Sequence, residues 1–130
     1  MARKRALQVI LVLTGLLYSA ALYVVVMALW HPGPSENTGD DMMMSLYFTM
    51  GVFLLMAVRN PSAHRSLIAF IAWSNFAHAI TMSTLGFYIP EEKTGFLIGS
   101  ALLAAIGVAL LALLPPKPQP PQASSTPHSV

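Results

Sequence analysis

Four apolar stretches, at roughly 7–30, 42–58, 65–88 and 95–114, occupy most of this chain and decide what it can fold into. A helix needs about 20 residues to cross a hydrocarbon core about 30 Å thick. The first, third and fourth stretches reach that length. The second, MMMSLYFTMGVFLLMAV, is short by itself, and Asp41 and Arg59 extend it by snorkelling at its ends. Charged residues are 9% of the 130, against roughly 25% in a soluble domain, too few to solvate a globular surface. The expectation is an all-α protein, an antiparallel four-helix transmembrane bundle with short loops over residues 1–114. Residues 115–130, with PKPQPPQASSTPHSV at their core, read as a disordered Pro/Ser-rich cytoplasmic tail.

The segments between the stretches agree with this division. HPGPSENTGDD holds two prolines and two glycines, which do not continue a helix. Asp40 and Asp41 then open the second helix, one as a cap and both favoured by its dipole. RNPSAHRS ends that helix, because the residue before Pro61 is pushed out of the helical region. Ser62 is the expected N-cap of the third helix. Pro90, Glu91 and Glu92 have the pattern of a first turn of the fourth, which stops at Pro115-Pro116.

Charge placement orients the four spans. Arg3, Lys4, Arg5, Arg59, Arg65 and Lys117 fall on one side. Lys93 and all five acids (Glu36, Asp40, Asp41, Glu91, Glu92) fall on the other. Lys/Arg-rich segments stay cytoplasmic, so a cytoplasmic (inner) membrane protein with both termini inside is expected, with Arg3, Lys4, Arg5, Arg59 and Arg65 as topology anchors. A cleaved signal peptide fits less well, because its apolar core runs about 7–15 residues and the run here continues well beyond.

Several chemistries are disfavoured. With no cysteine, disulfides, thiolate metal sites and Cys nucleophiles are excluded. The seven Lys and Arg are spread as topology requires, so no nucleic-acid partner is expected. No carboxylate lies inside a span to relay protons, and neither a phosphate loop nor paired catalytic acids occur. The chain therefore reads as non-enzymatic, with no catalytic residues and no cofactor.

The third stretch nevertheless carries polar groups at mid-membrane. His78 lies within about 2 Å of the span centre at 1.5 Å per residue. At 100° per residue, Ser74, Asn75, Thr81 and Met82 lie within about 60° of it, with Leu67, Ile71 and Leu85 continuing the stripe. Ala69, Ala72, Trp73, Phe76, Ile80 and Phe87 fall on the opposite, lipid-suited face. Tyr18 and Ser19 on the first helix and Thr49 on the second lie at matching depth. The fourth helix offers Gly95 and Gly99, a GxxxG pair, and further on Ala104, Ala105 and Gly107; Gly15 and Ser19 on the first helix are likewise small enough for close packing.

His78 has two readings. An ionisable group inside a membrane marks a site by default. A neutral imidazole bonded to Asn75, Tyr18 or Thr49 would instead hold helices together. Haem would need a second axial ligand; His31 and His64 lie at opposite edges and His128 in the tail, leaving Met50, Met82 or the His78 of a second copy. The eight methionines include Met42, Met43 and Met44, but three in a row point in three helical directions and do not gather around copper. No metal site is expected.

The segment MMMSLYFTMGVFLLMAVRNPSAHRSLIAFIAWSNFAHAITM, residues 42–82, carries a family resemblance. Gly51-Val52-Phe53-Leu54-Leu55, Arg59-Asn60-Pro61, Arg65-Ser66-Leu67-Ile68, Trp73-Ser74 and His78-Ala79 resemble a domain-of-unknown-function family of small bacterial four-helix membrane proteins. That resemblance covers about a third of the chain. It implies an integral membrane protein, attaches no activity, and places His78 and the Arg59–Arg65 turn among recurring positions. The architecture is also loosely similar to DoxX-like proteins. Small multidrug transporters differ, having an acid in the first span and little charge bias. The expected function is that of a binding, assembly or accessory subunit, whose partners are the lipid bilayer and a second copy or another membrane protein. The alternative is a small-molecule carrier or lipophilic-ligand binder using His78, Asn75, Tyr18, Thr49 and Ser74. A haem- or quinone-binding redox subunit ranks third.

Overall fold

A computed structural model describes residues 2–33 and 38–117. Among these residues five α-helices carry the fold: α1 (Ala2–Ser19), α2 (Ala21–Trp30), α3 (Thr38–Ala57), α4 (Arg65–Tyr88) and α5 (Lys93–Ala112). Among the described residues there is no strand. The expected tail lies outside the described residues beyond Lys117, as do His128 and Glu36.

α1 and α2 together make one apolar stretch of 29 residues, Ala2–Trp30. A break at Ala20 separates them, where the Tyr23 amide bonds three residues back to the Ala20 carbonyl at 3.0 Å, a local 3₁₀-type tightening. Gly39–Ala57 and Pro90–Ala112, of 19 and 23 residues, are also long and apolar enough to cross a membrane. α4 has 24 residues, but Ser74, Asn75, His78, Thr81, Ser83 and Thr84 dilute its apolarity. Among the described residues, length and composition thus mark three helices able to cross a membrane where four were expected, and the polar stripe on α4 is the cause.

Two helix starts differ from expectation. α3 begins at Thr38, so Asp40 and Asp41 lie inside its first turn rather than capping it. Their carboxylates still sit at the positive end of the helix dipole, and the earlier start gives the second stretch the length it lacked. Ser62 does not cap α4. A 3₁₀ turn, Pro61–His64, leads into it, and the cap position is His64 with no side-chain hydrogen bond. At the other turn, Pro90–Glu92 forms a 3₁₀ entry to α5 with both acids in its first turn.

The buried positions follow a three-and-four spacing on every long helix: Leu7, Leu11, Thr14 and Tyr18 on α1; Gly51, Leu54 and Ala57 on α3; Ile68, Ile71, Asn75 and Ala79 on α4; Ser100, Leu103, Gly107 and Leu110 on α5. This is the repeat of side chains interlocking across helices packed at a shallow angle. Leu7, Leu11, Leu54, Ile68, Ile71 and Leu110 fill the centre.

Close approaches hold two helix pairs. In the first, α1 meets α3 at Gly15 and Gly51, where a Cβ on Gly51 would lie 2.6 Å from the Ser19 amide nitrogen and 2.8 Å from the Gly15 carbonyl oxygen. In the second, α4 meets α5 at Gly107, where a Cβ would lie 2.9 Å from the Phe76 ring and 3.0 Å from the Ala72 carbonyl oxygen. The Ser100 hydroxyl reinforces that pair by donating to the Ala79 carbonyl at 2.8 Å, and shares a hydrogen bond with Ser83. Ala72 is therefore fully buried and Phe76 half-buried, correcting their assignment to a lipid-suited face. α4 lies between two neighbours, so its buried arc is wider than one stripe. Trp73, Ile80 and Phe87 do point outward, each more than 60% exposed.

Candidate functional site

Between the two pairs, the mid-length polar and aromatic side chains form a chain of contacts. Tyr18 is 4% exposed and Asn75 1%, and the Tyr18 hydroxyl donates to Asn75 Oδ1 at 2.7 Å. Tyr18 continues the buried stripe of α1, and Asn75 stands where the three-and-four repeat of α4 turns inward. The Tyr18 ring meets Tyr47 of α3 edge-on, with centroids 4.9 Å apart. Tyr47 meets His78 of α4 in the same way at 5.6 Å and 83°. Edge-to-face geometry sets a positive ring edge against a negative ring face.

Tyr47 and His78 are half-buried and, among the described residues, make no side-chain hydrogen bond. Both line a cleft of about 240 Å3 together with Leu17, Tyr18, Met82 and Leu102. All four long helices contribute to its walls. A second cleft of about 320 Å3, walled by Ile10, Leu13, Thr14 and Ala109 among others, runs between α1 and α5. Leu17 and Leu102 line both clefts, so the two adjoin, the first lined by Tyr18, Tyr47 and His78 beside its apolar residues and the second almost wholly apolar. Among the described residues, Asn75 Nδ2 is buried without a hydrogen-bond partner.

Other expected site residues lie elsewhere. Thr49 is exposed, and its hydroxyl donates to the Ser45 carbonyl of its own helix at 3.0 Å. This is the common back-bond of helical Thr, and it takes Thr49 out of the cluster. Thr81 does the same toward Ala77. Ser74 is half-buried and absent from the cleft walls. The Ser19 oxygen is buried without a partner among the described residues, beside the Gly51 backbone. Gly15 and Gly99 make close contacts, with Leu55 and with Met82 respectively. Gly95 faces open space, so the expected GxxxG pair does not act as one surface within the chain.

The basic residues expected to anchor topology gather at one end. Arg3 Nη2 donates to the Ala112 and Leu114 carbonyls at 3.1 and 3.2 Å. Arg65 Nε donates to the Pro115 carbonyl at 2.7 Å. These bonds satisfy carbonyls left open where α5 ends. Lys4, Arg5 and Arg59 are exposed.

The sequence reading overlooked Tyr47 and Ser100, whereas Gly107, expected among the small packing residues of the fourth helix, does meet α4 closely. Tyr47 sits within an apolar run, but its spacing of four before Gly51 and seven before Leu54 was a usable signal. Ser100 and Gly107 share that spacing on α5.

No curated protein matches the chain, and no solved structure matches it. A family profile matches residues 2–124, nearly the whole chain, under the description "Family of unknown function (DUF6632)". The chain belongs to the DUF6632 family.

Proposed function

We propose that this protein is an antiparallel four-helix bundle of the cytoplasmic membrane, with both ends of the chain inside, and that it binds a lipophilic small molecule in the groove ending at Tyr47 and His78. α4 is the fourth span in this reading, its polar stripe turned largely toward its neighbours. Support for the bilayer comes from the surface. Leu13, Tyr23, Leu29, Phe70, Trp73 and Ile80 are each more than 60% exposed, and soluble monomers rarely expose contiguous apolar surface of this extent. Support for the orientation comes from the gathering of Arg3, Arg65 and Lys117 at one end, away from the acids.

The observation that carries the ligand reading is this pair of adjoining clefts, taken together as one groove. Ligand sites are mostly apolar concavities with a few polar groups that fix orientation. Here the apolar part runs between α1 and α5, and the polar part is the Tyr47 hydroxyl with the His78 imidazole. A group bound at that depth is uncharged, because a charge near the bilayer centre is expensive. A carbonyl or hydroxyl head on an alkyl or isoprenoid chain fits both requirements. Among the described residues no catalytic constellation accompanies it, and binding or carriage is the role this reading assigns.

The test is native mass spectrometry of protein extracted in a mild detergent, with an absorption spectrum of the same sample. The wild type is expected to retain a lipophilic adduct, and His78→Ala to lose it while keeping its helical circular dichroism. Wild-type protein running as a bare protomer would overturn the ligand reading. A bare dimer would replace it with assembly.

A further inference from the structure

At the basic end of the molecule a separate cleft of about 230 Å3 opens between the starts of α1 and α4 and the end of α5. Its floor is apolar, formed by Leu7, Pro61, Leu113 and Pro115, and Arg3, Lys4 and Ser62 line it with polar groups. Two hydrogen-bonded arginines frame this end: Arg3 holds the Ala112 and Leu114 carbonyls, and Arg65 holds that of Pro115. Those contacts use Nη2 of Arg3 and Nε of Arg65. The remaining N–H donors of the Arg3 guanidinium are left for another acceptor, since a guanidinium carries five.

The charge around the cleft is one-sided. The Gln8 side chain donates to the Val58 carbonyl, which with the Arg3 and Arg65 contacts brings Arg3, Lys4, Arg5, Arg59, Arg65 and Lys117 to the same end. The described acids, Asp40, Asp41, Glu91 and Glu92, lie at the opposite ends of the helices. Among the described residues six cations thus come together with no carboxylate beside them. An anion is the missing partner, and the apolar floor requires that it carry hydrocarbon.

We propose that this cleft seats an anionic phospholipid, with its phosphate against Lys4, the free face of Arg3 and the Ser62 hydroxyl. The first methylenes of its acyl chain lie on Leu7 and Leu113. An Arg or Lys beside a phosphate supplies short, charge-assisted hydrogen bonds, and the cytoplasmic leaflet is where anionic lipids meet basic residues. The site depends on the bilayer placement proposed above but not on a ligand at His78.

Arg3 is unsuitable as the test residue because it also caps α5. Lys4 makes no hydrogen bond within the described residues and lines the cleft, whereas its neighbour Arg5 carries the same charge and does not line it. The experiment is native mass spectrometry of the full chain from mixed micelles holding equal phosphatidylglycerol and phosphatidylcholine. Wild type is expected to retain phosphatidylglycerol preferentially. Lys4→Ala is expected to lower that preference about tenfold or more, the loss of a charge-assisted hydrogen bond to the phosphate, and Arg5→Ala by no more than about fivefold, the effect of one basic residue near an anionic surface. Equal losses in both variants would reduce the effect to a general field, and no loss in either would remove the site. Displacement of the lipid by millimolar inorganic phosphate would reassign the cleft to a free anion and overturn the lipid proposal.

Discussion

Gly51→Ala tests the packing of α1 on α3 with a single methyl group. The added Cβ would lie 2.6 Å from the Ser19 amide nitrogen, 2.8 Å from the Gly15 carbonyl oxygen and 2.8 Å from Ser19 Oγ. Two of these neighbours are backbone and cannot swing aside. Ordinary contact begins at 3.4 Å, so the helices must part by about 0.8 Å. A gap of 0.5–1 Å forfeits roughly a quarter to a half of each van der Waals contact, and the contacts at risk include the fully buried Leu7, Leu11 and Leu54. In lipid, where apolar contact gains little from leaving solvent, such packing is a main source of helix association. The expected loss is about 2–3 kcal/mol, the upper part of the range for overpacked cores. The assay is detergent-micelle protein titrated with sodium dodecyl sulfate and followed by near-ultraviolet circular dichroism, to which the Tyr18–Tyr47 pair contributes. Gly95→Ala is the internal control, because its methyl meets nothing within 4 Å and should shift stability by less than about 0.5 kcal/mol. Equal stability of the two variants would refute the reasoning.

Two further substitutions separate the polar contacts. Tyr18→Phe strands Asn75, whose Nδ2 already lacks a partner among the described residues, and should cost about 1–3 kcal/mol in the same titration. Adding Asn75→Leu should recover part of that loss, because an apolar pair leaves nothing unsatisfied. Ser100→Ala should cost only about 0.6 kcal/mol, the usual worth of a hydrogen bond between membrane helices. The Ala79 carbonyl keeps its helical partner, and Ser83 can turn to its own helix.

Much of this arrangement was legible because helical geometry and membrane length constrain few residues strongly. The inward direction of Asn75 followed from 100° per residue, and Tyr18 from equal depth on a neighbouring span. Thr49 lay at the right depth as well, but depth does not fix rotation, and a helical Thr can satisfy its hydroxyl on its own backbone. Ala72 and Phe76 were misplaced because a single polar stripe was taken to define the only inward side of α4. A helix with neighbours on two sides buries Asn75 toward one and Ala72 toward the other. Gly95 failed for the opposite reason: GxxxG reports the capacity for close approach and not which surface approaches. Tyr47 went unnoticed because it stands in a run where every residue is apolar enough to face lipid.

The two tightly packed pairs also bear on how the protein is made. α1, α2 and α3 are consecutive, as are α4 and α5, so each pair closes over a short connection. Contacts between the pairs span much longer loops, 57 residues for Tyr18–Asn75 and 109 for Arg3–Ala112, and loop closure grows more unfavourable with length. Elements joined by local contacts form sooner than those joined by distant ones. Each hairpin is accordingly expected to form first, and the Tyr18–Asn75 bond to latch the two together only after α4 has been made. A ribosome stalled before α5 would leave Ala72 and Phe76 uncovered, with the first hairpin already zipped at Gly15 and Gly51.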